Sequence, residues 1–396
     1  MWSKTTIKQN QDEILKERTE EINHFIQSLE AVEDERVDRG KLHSLSEIFF
    51  LVLCAQICCY ESFREYVIYG NLKIDLLRKY FPYQYGIPSR TTISRVLALF
   101  KPNFLEDLLI KWMSQIIELS NEQQTIAIDG KRHRGVKGEE NQLHLVGAYA
   151  TQKGLLLGEE KVACKSNEIT AIPILLDKII ITNQIVSIDA MGCQKVIATK
   201  IREKNADYVL ALKGNQSNLH EEIKLFFSDA ENIATCAVYE QNNKGHGRVE
   251  TRKCYASNQI NWLHDKKKWD GLKTIVMIES TRWTPHKEEK ETRFFITSLD
   301  PNPKKILNSV RAHWGIENGL HWVLDVIFKE DDRIIWNQNV AQNESVLRRV
   351  GLNLLKQYQE FLNPEGKDHK KTAIKTLRKI LMIDDLGMIK LLSGKF

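Results

Sequence analysis

Two short β-forming runs in this chain each end on an aspartate, and that placement constrains the fold more than any other feature. Thr125-Ile126-Ala127-Ile128 runs into Asp129, and Ile185-Val186-Ser187-Ile188 runs into Asp189, sixty residues later. A carboxylate directly after an apolar strand is a poor core residue and needs a partner. In a sheet flanked by helices, the carboxyl ends of the strands are where chemistry collects. Taken singly, each aspartate also reads as a turn or helix-cap residue, because Asp129 precedes Gly130 and Asp189 precedes a helical stretch.

A third acidic residue, Glu317, lies in the helical pattern Arg311-Ala312-His313-Trp314-Gly315-Ile316-Glu317-Asn318. At roughly 3.6 residues per turn, His313, Glu317 and His321 share one face. Ile316, Leu320, Val323 and Ile327 form a separate apolar stripe. Trp314 lies near Glu317's side, where it could brace the carboxylate, stack on a base or simply pack. Two carboxylates at strand ends plus one on a helix can hold two Mg²⁺ or Mn²⁺ ions about 3.5–4 Å apart over one phosphate. Such a pair activates the attacking oxygen and stabilises the leaving one, so DNA backbone is cut and rejoined without a covalent protein intermediate. His313 and His321 could instead join Glu317 around zinc, but the sequence offers no matching further ligands.

Charge distribution points the same way. The net charge of +5 is mild, yet Lys131, Arg132, Arg134, Lys195, Lys213 and Arg311 crowd near the acidic positions. A basic rim around an acidic centre suits a polyanion held over metal, although an ordinary solvated surface reads alike. Lys131, Arg132, Lys195 and Lys213 each follow a strand end and are the candidates for phosphate contacts. With 396 residues there is room for two or three domains and a large core, and 42% hydrophobic content fits a globular protein. Seven cysteines without a Cys-x-x-Cys pair argue against structural zinc. Cys54, Cys58 and Cys59 read as buried free thiols in a reducing cytoplasm. Met1 to Glu21 is too charged for a signal peptide, and Ile48 to Tyr60 falls short of the roughly 20 residues a membrane span needs. A cytoplasmic, nucleoid-associated location follows as an expectation.

Apolar spacing divides the chain. Residues 1–115 read as a helical domain, with a charged amphipathic segment from Ile7 to Val32 and a long apolar helix from Leu45 to Tyr69. Ser89 is placed to cap a helix burying Ile93, Val96 and Leu97, with Arg90, Thr91, Ser94 and Arg95 outward, toward a DNA groove or plain solvent. Residues 120–333 switch to strands at Thr125–Asp129, His144–Thr151 and Leu155–Val162. A helix at Ile169–Ile180 follows, with Pro173 in its first turn, then a strand, a helix at Gln194–Asn205 and a strand at Tyr208–Leu212. That order predicts a mixed sheet flanked by helices. Residues of about 215–297, with a helix at Leu219–Phe227 and several β-rich runs, interrupt this core before the helix of Glu317. Residues 334–396 read as a helical tail.

At these residues the chain resembles DDE-type insertion-sequence transposases, in the subgroup of H-repeat-associated proteins. The segments that carry the resemblance are Ile126 to Lys131, Lys165 to Pro173, Asp189 to Lys195, Asp207 to Gln216, His313 to Asn318 and Leu320 to Val326. Gly247-Arg248 with Glu250 and Arg252, after His246, matches the inserted β region, and the likeness runs from about Gly40 into the tail. It implies a ribonuclease H-like α/β core interrupted by a β-rich insertion, preceded by an associated N-terminal domain. It implies Asp129, Asp189 and Glu317 as the metal-binding catalytic triad. DNA contacts are expected at Lys131, Arg132, Lys195, Lys213, Arg311, His313 and His321, with Arg311 or His313 standing in for an arginine common in broader relatives. Val310, His313 and Leu324 occupy the offsets where those relatives carry Tyr, Arg and Lys, and Ile334 to Asn339 lacks their basic pair. The expected partners are the element's terminal inverted repeats, target DNA and further copies of the chain. A non-catalytic DNA-binding derivative and a nuclease that only hydrolyses are the alternatives.

Overall fold

In the computed structural model, residues 24–31, 34, 36, 41–118, 123–137, 143–163, 166–245, 247–284, 287–363 and 371–394 are described. Most of the predicted amphipathic stretch from Ile7 to Val32 lies outside them. Contacts within the chain divide it into two compact units: Ile116–Lys131 with His144–His321, and Met1–Gln115 with Arg132–Leu143 and Trp322–Phe396.

The first of these units is built on one nine-stranded sheet. Its strands are β1 (Thr125–Arg132), β2 (His144–Ala150), β3 (Leu155–Lys161), β4 (Ile185–Ile188), β5 (Asp207–Leu212), β6 (Ala237–Gly245), β7 (Arg248–Ser257), β8 (Thr274–Thr284) and β9 (Lys287–Thr297). Their order is β3-β2-β1-β4-β5-β9-β8-β7-β6. β1 with β4, and β4 with β5, pair in parallel, while β2 and β3 pair antiparallel. The order 3-2-1-4-5 is ribonuclease H-like, as the sequence led us to expect. β4 is buried at all four positions, as befits the centre of a parallel pairing, and three of its four residues are apolar, with Ser187 the exception. The insertion interrupts the sequence but not the sheet. β9 pairs antiparallel with β5, and β8, β7 and β6 follow in antiparallel order.

Helices cover this sheet. Ile185, Val209, Cys254, Val276 and Phe295 pack with Ile306 and Leu307 of the Pro303–Ile316 helix. The Glu168–Lys178 helix is capped by Asn167, whose side chain accepts a hydrogen bond from Ile169 N at 3.1 Å. Pro173 lies in its second turn rather than its first, where the missing N–H leaves one backbone carbonyl without its helical donor.

The other unit is helical. The single helix expected over Leu45–Tyr69 is two, Leu45–Ile57 and Phe63–Leu72. Each begins with a capping box, Ser44 with Glu47 and Ser62 with Glu65, and between them Cys59 takes a left-handed backbone (φ 66°). Cys54 and Cys58 are buried as expected, but Cys59 is exposed because it sits in that break. Leu45–Ile57 packs on the Gln338–Leu362 helix, which brings buried charges with it. Glu344 pairs with Arg333 at 2.5 Å and Arg348 at 3.5 Å, and Arg349 pairs with Glu330, since buried ions need partners. Ser89 caps the Arg90–Leu99 helix, which buries Ile93, Val96 and Leu97 and exposes Arg90, Thr91 and Arg95. No helix among the described residues is long and apolar enough to cross a membrane.

Candidate active site

Strand register brings the two aspartates together. In the parallel β1–β4 pair, Ile128 is the partner of Ile188, so Asp129 and Asp189 leave neighbouring strands at the same level, roughly 5 Å apart in backbone. Each spends one carboxylate oxygen on its own turn. Asp129 Oδ1 accepts from Gly130 N at 2.9 Å, and Asp189 Oδ1 accepts from Met191 N at 3.0 Å and Gly192 N at 3.3 Å. The turn-aspartate reading and the site reading are therefore compatible. The loop after β5 braces the loop after β4: Asn215 Nδ2 donates to Ala190 O at 2.5 Å and Gln216 Nε2 to Cys193 O at 3.0 Å.

The helix beginning at Pro303 delivers the third acid. Beyond Ile316 it widens into a π-helical turn over Glu317–His321, so the even 3.6-residue spacing expected of His313, Glu317 and His321 does not hold. Two glycines let this turn press on β2. A Cβ at Gly319 would stand 2.5 Å from Tyr149 Oη, and one at Gly315 would meet Thr151 at 3.4 Å. A π-turn at such a place is a common mark of a functional site. The two histidines then part company. His313 Nδ1 lies 3.2 Å from Ser187 O on β4, while His321 Nδ1 lies 3.6 Å from Asp129 Oδ2.

A fourth carboxylate, absent from the expected set, belongs to the cluster. Glu168 opens the helix after β3, and its Oε1 lies 2.8 Å from His144 Nε2. A Cβ on Gly130 would fall 2.1 Å from Glu168 Oε1, so Gly130 is the gap through which Glu168 approaches Asp129. Burial, opposed by the Gly130 hydrogen bond and reinforced by the charges of Glu168, Asp189 and Glu317, pushes the Asp129 carboxyl up to about 7. Among the described residues, the ion pairs to these four carboxylates are both with histidine, His321 and His144. Burial holds the His313 imidazole below its usual range, against the pull of Asp189 and of the Ser187 carbonyl, so it is neutral at pH 7.

The expected DNA-contact residues fare differently. Arg132 and Lys213 are exposed. Lys195 is half-buried and paired with Asp265 at 3.2 Å. Arg311 is exposed and donates to Gln241 Oε1 at 2.6 Å. Lys131, in contrast, is buried with 7% of its surface exposed, because β1 continues past Gly130 and turns its side chain inward. It cannot offer its charge to a phosphate from there. Trp314 is exposed, with the Arg293 guanidinium over its ring at 5.7 Å.

Oxygen donors carrying several negative charges fit a hard divalent cation, and the charges of Glu168, Asp189 and Glu317 add to burial in raising the Asp129 carboxyl. Among the described residues, no three His, Cys, Asp or Glu side chains stand close enough around one point to form a finished metal cage.

Comparison with known proteins shows the family of the chain. The sequence profile of the Transposase DDE domain matches residues 120–354, and that of the DDE_Tnp_1-associated domain matches 26–113. "Putative transposase YncI" of Escherichia coli O157:H7 is 36% identical over 369 residues, covering 90% of this chain and 93% of that one. "H repeat-associated putative transposase YhhI" of Escherichia coli K12 is 35% identical, over 85% and 91% of the two chains. Among solved structures, the piggyBac transposase synaptic complex with hairpin DNA aligns over 94% of this chain and 78% of that one, at 10% identity and a TM-score of 0.47, too loose a likeness to add weight. On the length and identity of the sequence matches, this chain belongs to the DDE transposase family, beside the H-repeat-associated proteins.

Proposed function

We propose that the chain is a DNA transposase that cleaves phosphodiester bonds at the ends of a mobile element and transfers the freed strands into target DNA. Asp129, Asp189 and Glu317 would hold two divalent ions, Mg²⁺ or Mn²⁺. The observation that carries this reading is the level placement of Asp129 and Asp189 at the ends of the paired strands β1 and β4, where burial first, and then the charges of Glu168, Asp189 and Glu317, push the Asp129 carboxyl up to about 7. When bound, the ions would supply an activated attacking oxygen and charge stabilisation for the leaving oxygen. The side chains themselves do the positioning. Asp129 and Asp189 are oriented by backbone N–H groups of their own turns, and Asn215 and Gln216 steady the loop that carries Asp189. His313, neutral and donating from Nδ1 to Ser187 O, keeps Nε2 as an acceptor, so it suits a hydrogen bond to DNA or water rather than a charge pair. Arg132, Lys195, Lys213 and Arg311 remain the proposed phosphate contacts. Element ends, target DNA and further copies of the chain are the proposed partners. The proposed domain division is 1–115, 120–333 and 334–396.

The test is cleavage and joining by purified protein on DNA carrying the element's ends. Asp129→Asn, Asp189→Asn and Glu317→Gln should each abolish metal-dependent nicking while the far-UV circular dichroism stays unchanged. Nicking that persists in any of these variants removes that residue from the site. Joining of a 3′-hydroxyl end to a second duplex separates a transposase from a nuclease, and binding without nicking identifies a non-catalytic derivative.

A further inference from the structure

The two edges of the sheet are finished differently. At one, β3 is buried from Leu155 to Glu159, and the pairing of β2 with β3 slips between Ala148 and Tyr149, so that edge is buried and irregular. At the other, among the described residues, β6 has β7 on one side and no strand on the other. Its nine residues pair with β7 without a slip and include no proline. Edge strands usually escape further pairing by being short, bulged, proline-bearing or charged. β6 uses only charge, at Glu240 and Lys244. From Tyr239 to Lys244 it alternates half-buried and exposed positions. The half-buried side chains serve the chain's own fold: Lys304 lies over the Tyr239 ring at 6.0 Å, Arg311 donates to Gln241 at 2.6 Å and Arg252 to Asn243 at 3.3 Å. The exposed ones, Glu240, Asn242 and Lys244, stand on the opposite face. Within the chain Glu240 faces Lys253 across β7, whereas Lys244 faces the apolar Val249. The spacing of the two charges matters when a second β6 is laid antiparallel beside the first. With a two-fold axis at Asn242, Glu240 of each copy faces Lys244 of the other, Gln241 faces Asn243 and Asn242 faces itself. Moving the axis to Gln241 or to Asn243 leaves both charges unmatched.

We propose that β6 is a self-pairing edge: two copies of this chain join β6 to β6, antiparallel about a two-fold axis at Asn242, into one continuous sheet. The occupant is a second copy because the charge pattern is complementary to itself. Glu240 and Lys244 lie on one face, and reversing the strand about Asn242 exchanges them, so one interface carries the same ion pair twice. The two-fold closes the pairing, which makes a dimer rather than a growing fibre. A strand pairing this short and polar suits a dissociable dimer, with a Kd on the order of micromolar. The inference does not rest on the metal chemistry; it names the surface by which the further copies already proposed meet.

The test is analytical ultracentrifugation of the full chain, free of DNA, across about 0.5–50 μM, where a dimer of that affinity dissociates on dilution. Glu240→Lys and Lys244→Glu should each weaken the dimer on the order of tenfold, because like charges then face each other at both symmetric positions. The double variant Glu240→Lys/Lys244→Glu should recover the parent's affinity, since the exchanged charges match again. Position 240 faces Lys253 in the single and the double variant alike, so an effect confined to one chain would not be rescued. Under mild oxidation Asn242→Cys should give a disulfide-linked dimer above the parent's background, because directly opposed Cβ atoms lie about 4.5–5.5 Å apart. Glu240→Cys, about 13 Å from its copy along the strand, should not. A parent that stays monomeric throughout, a double variant no better than the singles, or equal cross-linking at 240 and 242 would each overturn the proposal. A dimer untouched by the single changes would place the interface elsewhere and overturn it too. None of these outcomes bears on the cleavage tests, so the two readings fail separately.

Discussion

The Glu168 carboxylate fills the space that a side chain on Gly130 would need: a Cβ there would lie 2.1 Å from Glu168 Oε1 and 2.8 Å from His144 Nε2. Gly130→Ala should therefore push the Glu168–His144 pair off the site and destabilise the protein by about 1–3 kcal/mol in urea unfolding. Metal-dependent cleavage should fall with it. Glu168→Ala in the same background removes the clash, so the double variant should be less destabilised than the two single changes added together. Simple additivity would show that the two residues do not meet.

The Asp129 carboxyl, held at about 7, gives stability a pH signature. An unfolded aspartate titrates near 3.9, so the folded state favours the protonated form. That contribution is complete below about pH 4 and is lost as pH rises to about 7. Asp129→Asn should abolish this part of the decline and be more stable than the parent at pH 8, by about 1–4 kcal/mol. Thermal unfolding across that range is the measurement, and parallel profiles would contradict the prediction.

Divalent cations should act on the same carboxylates. Mg²⁺ added at pH 8 should raise the melting temperature of the parent protein, because a ligand of the folded state stabilises it by mass action. The rise should shrink in Asp129→Asn and in Glu317→Gln. An equal rise in all three proteins would place the ion elsewhere.

Gly319 presents a sharper steric case. Gly319→Ala would set a methyl 2.5 Å from Tyr149 Oη and force the π-turn bearing Glu317 away from β2. We expect a stability loss of about 1–3 kcal/mol and a disproportionate loss of cleavage. Tyr149→Phe, which deletes the obstructing hydroxyl, should recover part of both. Failure of that rescue would mean the helix is positioned by other contacts.

The two aspartates were legible because an apolar run that ends on a carboxylate is rare in a packed sheet, and the β1–β4 register then does the rest. Glu168 was not legible as a site residue. It follows the capping Asn167 and looks like any acidic residue in a first helical turn, and only its packing across Gly130 reveals more. The π-turn was invisible because apolar spacing reports where a helix lies, not how wide its turns are. The burial of Lys131 was missed because a strand end was assumed at Asp129, whereas β1 runs on to Arg132. The break at Cys58–Ser62 was hidden inside an apolar stretch, although Ser62 and Glu65 carried the capping-box pattern. The β-rich character of the insertion was readable from its alternating segments, but the pairing of Val209 with Thr297 joins residues far apart in the chain, which no local pattern encodes.

That pairing gives the insertion a second duty. Were residues 237–297 excised, β5 would lose β9 and present a bare row of amide and carbonyl groups at a margin of the sheet next to the strand that bears Asp189. Such a margin invites other chains to dock and aggregate. A shortened version of this chain would need a substitute strand along β5, which ties the integrity of the carboxylate cluster to a segment that contributes none of its members.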